Sequence, residues 1–508
     1  MELEFELDSF RYYDKLADMT LCQEETLESI VPDACPDILR IVDVWGESEV
    51  GEKYVKENYA IVSGNVRAVI LYQPEAGDFL RHIEVCLPFT CQLEVKGLTE
   101  RGVIQAYPRL RSAEARALNP RKVLLRVDLA VGIHAFQPVE QYVCSGAISD
   151  DEYGICQNLL HEETDVVVSV EEKTFTFTDS IKIGNSQTGN LQVLAMRAKP
   201  ASIESKHIGN KLIFKGNIDL SLMYQEGEGA LNISKESIPF SQVMELLEYG
   251  DDTDSLIDVE LTGMNWQSSD SEEGKFDLSF ELLAQIQIQS KQSVTLLHDL
   301  YSTVYHMETK TREQKLWKLV EQAVRPQAVR ELMETEELVR SVIDSSLTVG
   351  SLTQSRDGGQ ICLQAEAWVS VLYMDDKQQL QRAKKMIPVS TRFECPEPIQ
   401  CSYTCIGSGD VFAVPAVGGI ELRFAVEFHC RTRMPKLVSC VEEARLGNMR
   451  CAEAGRIPSV VLRLASEGEG IWDIAKAYGT TIEQIIVANE LESELLPAGK
   501  MLLIPKVR

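Results

Sequence analysis

Leu212-Ile213-Phe214-Lys215-Gly216-Asn217-Ile218-Asp219-Leu220-Ser221-Leu222-Met223-Tyr224 alternates along its length. Leu212, Phe214, Gly216, Ile218, Leu220, Leu222 and Tyr224 fall on one side of an extended chain. Lys215, Asn217, Asp219 and Ser221 fall on the other. A period of two over so many residues marks a strand that covers a core with one face. The pattern stands twice more. Upstream, Val62, Gly64, Val66, Ala68, Ile70 and Tyr72 share a face opposite Ser63, Asn65 and Arg67. Downstream, Ile361, Leu363, Ala365, Ala367, Val369, Val371 and Tyr373 oppose Gln364, Glu366 and Ser370.

Each copy continues alike. A turn leads from the tyrosine to a segment ending in proline: Leu87-Pro88-Phe89, Ile238-Pro239-Phe240 and Ile387-Pro388-Val389. A further alternating run closes each copy, through Val123 to Val131, Phe276 to Ile288 and Ile420 to Cys430. The interval is about 150 residues, the size of a domain rather than of a solenoid repeat. Half-apolar strands argue for antiparallel sheets. The expected fold is mainly β, with three repeated antiparallel sandwich-like domains over 31–145, 165–292 and 346–435. Residues 1–30 read as a polar lead-in, partly helical over Asp14 to Glu28. Residues 293–345 read as a helical insert, with Lys315 to Val324 and Val329 to Ile343 broken at Pro326. Residues 436–458 read as a linker, a tether without clear periodicity.

The last fifty residues, 459–508, have a different grammar. Val460 to Leu464 reads as a strand. Ile471, Ile474, Ala475 and Tyr478 then stand at i, i+3, i+4 and i+7, one face of a two-turn helix that Gly479 ends in the left-handed region. Thr480 and Glu483 have capping-box spacing for a second helix, whose stripe is Ile482, Ile485 and Ile486. Met501 to Ile504 closes the module as a strand stopped by Pro505. The order is strand, helix, helix, strand, a small α+β unit.

Composition narrows the function. The 508 residues are too many for one core and predict three or four domains. A net charge of −28 argues against nucleic acid and anionic membrane surfaces, and favours solubility or a basic protein partner. No apolar run reaches the length of a membrane span. The acidic start, Met1-Glu2-Leu3-Glu4-Phe5-Glu6, lacks a signal-peptide pattern, so the chain is expected to stay in the cytosol. The 13 cysteines are scattered, without Cys-x-x-Cys, as in a reducing compartment. Cys401 and Cys405 form a close pair with no second ligand pair, so no metal site is expected.

Catalytic constellations are not found. The histidines are dispersed, and His161-Glu162-Glu163 lacks the second histidine of a zinc-protease helix. There is no Gly-x-Ser-x-Gly elbow or phosphate loop. The recurring Tyr72, Tyr224 and Tyr373 read as core residues. The expectation is a non-enzyme without cofactors.

The terminal module resembles the LysM domain at Gly468, Ile471-Trp472, Ile474-Ala475, Tyr478-Gly479, Ile485, Asn489, Leu491, Leu496, Gly499 and Ile504-Pro505. That resemblance implies binding, in a groove between the loop before the first helix and the loop after the second. The implied groove residues are Gly468, Glu469, Gly470, Ile471, Asn489, Glu490, Leu491, Leu495 and Leu496. The family's ligands are peptidoglycan or chitin-like glycans containing N-acetylglucosamine. Here Gly468-Glu469-Gly470 replaces the family's Gly-Asp-Thr, and Glu490, Glu492 and Glu494 make the second loop acidic. Both departures favour a protein ligand over a neutral glycan.

The β copies resemble the SPOCS domain of SpoVID- and SipL-type spore coat morphogenetic proteins, which couple such domains to a terminal LysM module. Copy one carries this best, in Pro32-Asp33, Pro36-Asp37-Ile38, Val62-Ser63-Gly64-Asn65-Val66 through Ile70-Leu71-Tyr72, and Leu87-Pro88-Phe89. Copy two keeps Gly216-Asn217 and Ile238-Pro239-Phe240. Copy three has Ala365-Glu366 in place of Gly-Asn. The resemblance implies a scaffold at the forespore surface, in the mother-cell cytoplasm and spore coat. Its LysM would dock on the coat's basal-layer ATPase-type protein, with self-association through the repeats as a further expectation. The rival expectation is a peptidoglycan-binding LysM protein.

Overall fold

The computed structural model describes residues 3–75, 77, 79–183, 191–226, 230–246, 253–268, 274–450, 460–466, 469–491 and 499–505. The body is one six-strand unit built three times. Unit one holds β1 (Glu4–Ile30), β2 (Ile38–Lys56), β3 (Tyr59–Pro74), β4 (Arg81–Glu94), β5 (Val103–Asn119) and β6 (Lys122–Ile148). Unit two holds β7 (Ile155–Lys182), β8 (Leu191–Ile208), β9 (Lys211–Glu226), β10 (Ala230–Glu245), β11 (Thr253–Ser268) and β12 (Lys275–Ser302). Unit three holds β13 (Tyr305–Glu334), β14 (Val339–Asp357), β15 (Gln360–Asp375), β16 (Leu380–Glu394), β17 (Gln400–Ala416) and β18 (Gly419–Met449).

In every unit the second, third and fourth strands form one antiparallel sheet with the third strand central. The first, sixth and fifth form the other, with the sixth central. Each pair of sheets encloses an apolar core, such as Val62, Val66, Ile70, Val85 and Leu87 facing Val123 to Ile133 in unit one. This is the sandwich that the alternation predicts.

The first strand of each unit departs from expectation. Asp14 to Glu28 is strand rather than helix, paired with β6 from Glu4↔Ile148 to Ile30↔Lys122. The expected helical insert is strand too: Lys315 to Val324 and Val329 to Glu334 lie in β13, and Val339 onward opens β14. Both segments are rich in Glu, Leu, Lys, Gln and Arg, good helix formers whose preferences are overruled by a partner strand. None of the residues of β1 is buried, so its sequence lacks the apolar face that would reveal it. The expected tether is strand as far as Met449, because β18 runs on to pair with the start of β13. The rest of that tether, 451–458, lies outside the described residues.

A register rule explains the Gly-Asn pair. Gly64 sits across from Phe89, and a Cβ on it would lie 2.2 Å from the Glu49 carbonyl and 2.6 Å from the Phe89 ring. Gly216 sits across from Phe240 with the same crowding, about 3.0 Å from ring and carbonyl. In unit three Ala365 faces Val389, so a larger residue on one strand meets a smaller one opposite. The strand behind carries a bulge at the same place each time, between Val50 and Lys53, Ala201 and Glu204, and Val349 and Leu352.

Corresponding residues of the three units also meet one another. Val42 and Leu71, Leu194 and Met223, and Ile343 and Leu372 converge in one apolar cluster, giving the body an approximate threefold layout. Each of Leu71, Met223 and Leu372 directly precedes the repeated tyrosine. Ion pairs Arg382–Asp43 and Arg197–Asp344 flank the cluster between units. The sheets of units one and two join into one six-stranded sheet through Tyr13↔Val167.

The C-terminal module has β19 (Val460–Leu464), α1 (Ile471–Tyr478), α2 (Ile482–Asn489) and β20 (Met501–Pro505), with β19 and β20 antiparallel. Among the described residues, no helix is long and apolar enough to cross a membrane.

Candidate partner-binding site

The core of the terminal module is Ile471, Ile474, Ala475, Ile485, Leu502 and Ile504, the inward stripes of both helices and of β20. Gly479 adopts φ 64° and ends α1 as its sequence predicts. The capping box stands one residue further along than Thr480 and Glu483. The Thr481 hydroxyl accepts from the Gln484 N–H, and the Gln484 side chain accepts from the Thr481 N–H. Thr480 is buried instead, with its hydroxyl 2.7 Å from Gln484 Oε1.

The expected groove residues prove largely occupied by the module's own structure. Glu469 pairs with Arg463 and accepts from the Ser466 N–H at 3.2 Å. Gly470 is the extended N-cap of α1 and Ile471 is buried. The Asn489 amide donates to the carbonyls of Ile485 and Leu503 and accepts from the Leu503 N–H, at 2.7–2.8 Å, which ties α2 to β20. Glu490 is the left-handed cap of α2, and Leu491 packs against the core. Gly468, Leu495 and Leu496 lie outside the described residues. The polar groups of Glu469 and Asn489 therefore already have partners within the module.

Two other surfaces emerge. The first faces the body. Trp472 and Lys476, one turn apart on α1 and outside its core stripe, both reach Asp299 near the end of β12. The Trp472 indole donates at 2.8 Å and the Lys476 ammonium bonds both carboxylate oxygens at 2.7 Å. Tyr301 meets the Trp472 ring edge-on at 4.9 Å, and its hydroxyl donates to the Thr480 carbonyl at 2.7 Å. Burial pushes the Tyr301 hydroxyl well above its ordinary value, so it stays a donor. A tryptophan outside the apolar stripe with a lysine four residues on was the legible signal of this contact.

The second surface is exposed to solvent. Val460, Leu462 and Leu464 on β19 and Met501 and Leu503 on β20 point outward, with Leu462↔Leu503 and Leu464↔Met501 side by side. Leu462 is 67% exposed and Met501 63%. Such a contiguous apolar face on a small module is the mark of an interaction surface.

Elsewhere, Cys401 and Cys405 lie on β17 against the core of unit three. Among the described residues no group of three or more His, Cys, Asp or Glu side chains could hold a metal.

Comparison with known families accords with this geometry. The family described as SipL, SPOCS domain matches residues 37–117 and 191–267, which are the second to fifth strands of units one and two. The LysM domain matches residues 466–505. Both are binding or scaffold domains. Unit three, beyond the matched residues, repeats the same strands in the same pairing. No curated protein and no solved structure matches the chain.

Proposed function

Because this chain carries SPOCS domains ahead of a C-terminal LysM domain, we propose that it is a non-enzymatic scaffold of the developing spore coat, placed at the forespore surface from the mother-cell cytoplasm. Its LysM domain docks on the ATPase-type protein of the coat's basal layer, and its three β units give that anchor a rigid body. The observation that carries this reading is the exposed apolar face of Val460, Leu462, Leu464, Met501 and Leu503. A protein covers such a face well, whereas a glycan offers mostly hydroxyls. The internal use of Glu469 and Asn489 points the same way. A chain of charge −28 fits a partner whose rim is basic.

The test is to follow a fluorescent fusion in sporulating cells. Removal of residues 456–508 disperses the signal from the forespore surface, and Leu462→Lys does the same with the fold intact. Retained localisation after that removal would sink the docking role. The second reading, capture of peptidoglycan, rests on the LysM family itself. It predicts co-sedimentation with purified wall that N-acetylglucosamine oligomers abolish.

A further inference from the structure

Where the three units meet, their first and sixth strands, joined by β11 and β17, surround a cavity of about 350 Å³. Further along β6, β12 and β18 the junction is apolar, closed by Val143, Val294, Leu296, Val438 and Cys440. The cavity is different. Rings of Tyr12, Phe136, Trp317 and Tyr403 line it together with several charged groups.

Most of those charges are already matched. Lys15 pairs with Asp18. Arg431 grips Asp165 with two bonds of 2.8 and 3.0 Å, lies 3.4 Å from Asp254, and donates to Gln322. Asp14 stands exposed at the rim. His429 also lines the cavity, with its Nε2 buried without a hydrogen-bond partner 3.6 Å from the Glu427 carboxylate, and two further groups stand out. Arg433 lies 4.7 Å over the Trp317 ring and is attracted by the Asp165 and Asp14 carboxylates without forming a direct ion pair with either. His134 is 7% exposed and holds Asp18 through Nε2 at 3.1 Å, while its Nδ1 is buried without a partner. With Nε2–H facing a carboxylate, Nδ1 carries a lone pair and requires a donor. A guanidinium partly withdrawn from water is likewise stabilised by a directly paired anion.

We propose that this junction cavity binds a small aromatic carboxylate bearing a hydroxyl or amino group. The carboxylate completes Arg433, the ring packs among the aromatic walls, and the donor meets His134 Nδ1. The volume lies within the range of small-molecule sites. Because all three units line the cavity, its occupant also bonds them to one another.

The test is calorimetric titration of the full chain with 6-hydroxy-2-naphthoate, and in parallel with the corresponding uncharged amide. The expected result is one saturable site per chain for the acid, with the amide at least tenfold weaker. Arg433→Met loses at least tenfold for the acid and little for the amide. Absence of saturable binding by the acid, equal affinity for acid and amide, or wild-type affinity in Arg433→Met would overturn the proposal. The acid–amide comparison uses the unaltered chain, so it decides even where the variant folds poorly.

Discussion

At the scale of single residues, the molecule is governed by what stands opposite what. The Gly64–Phe89 and Ala365–Val389 pairs solve one packing problem with two divisions of volume. Gly64→Ala forces a methyl against the Glu49 carbonyl and the Phe89 ring, and is expected to cost about 1–3 kcal/mol. Phe89→Val in the same chain recovers the part owed to the ring, though not the part owed to the backbone carbonyl. A double-mutant cycle read by urea denaturation checks both. Glu47 offers a pH test. Burial raises its carboxyl to about 7, opposed by the Ala198 N–H that it accepts at 2.9 Å and by the nearby Arg197. A raised carboxyl favours folding most when protonated in both states, and that contribution is lost as pH climbs from the ordinary 4.5 through about 7. Glu47→Gln keeps the acceptor and cannot ionise. The variant should melt with the wild type at pH 4 and above it at pH 8, as followed by circular dichroism.

At the scale of elements, legibility tracked burial. The central strands β3, β9 and β15 bury every second side chain, so their alternation is written in the sequence. The first strands of units one and three are edges or near-edges whose two faces are both largely polar. β13 buries only Gln314, Leu316 and Met333 of its 30 residues. Nothing local marks such a strand, and the 27-residue pairing partner that fixes β1 lies more than 90 residues away. The capping box slipped by one because Thr480-Thr481 and Glu483-Gln484 satisfy the same spacing in two registers, and only the burial of Thr480 chooses. The groove residues were legible as family positions, yet not the bonds that occupy them, because Asn489 meets β20 only in the folded module. The contact of α1 with the body is likewise a product of folding. Asp299→Ala removes three charge-assisted bonds, and is expected to weaken the LysM–body contact by roughly 2–3 kcal/mol. Faster amide exchange in α1 and a red shift of the Trp472 emission would report the release, and an unchanged α1 would refute the clamp.

At the scale of the whole molecule, the three units form one body around a shared junction. Leu71 and Leu372 come from different units and lie in the same cluster. Each change to alanine is expected to cost about 2–5 kcal/mol, and the two losses should not add. Additive losses in denaturant titrations would mean that the units are energetically separate. With the LysM domain fastened to the body by α1, the apolar outer face of β19 and β20 stays exposed, and under the proposed function it is the surface that meets the partner. The purified full chain and its Leu462→Lys variant would be titrated against the purified basal-layer ATPase of the coat, with insoluble peptidoglycan as the competing ligand. The expected result is saturable binding to the protein, lost in the variant, and no sedimentation with the wall. Sedimentation with peptidoglycan that N-acetylglucosamine oligomers abolish, with no binding to the protein, would contradict it.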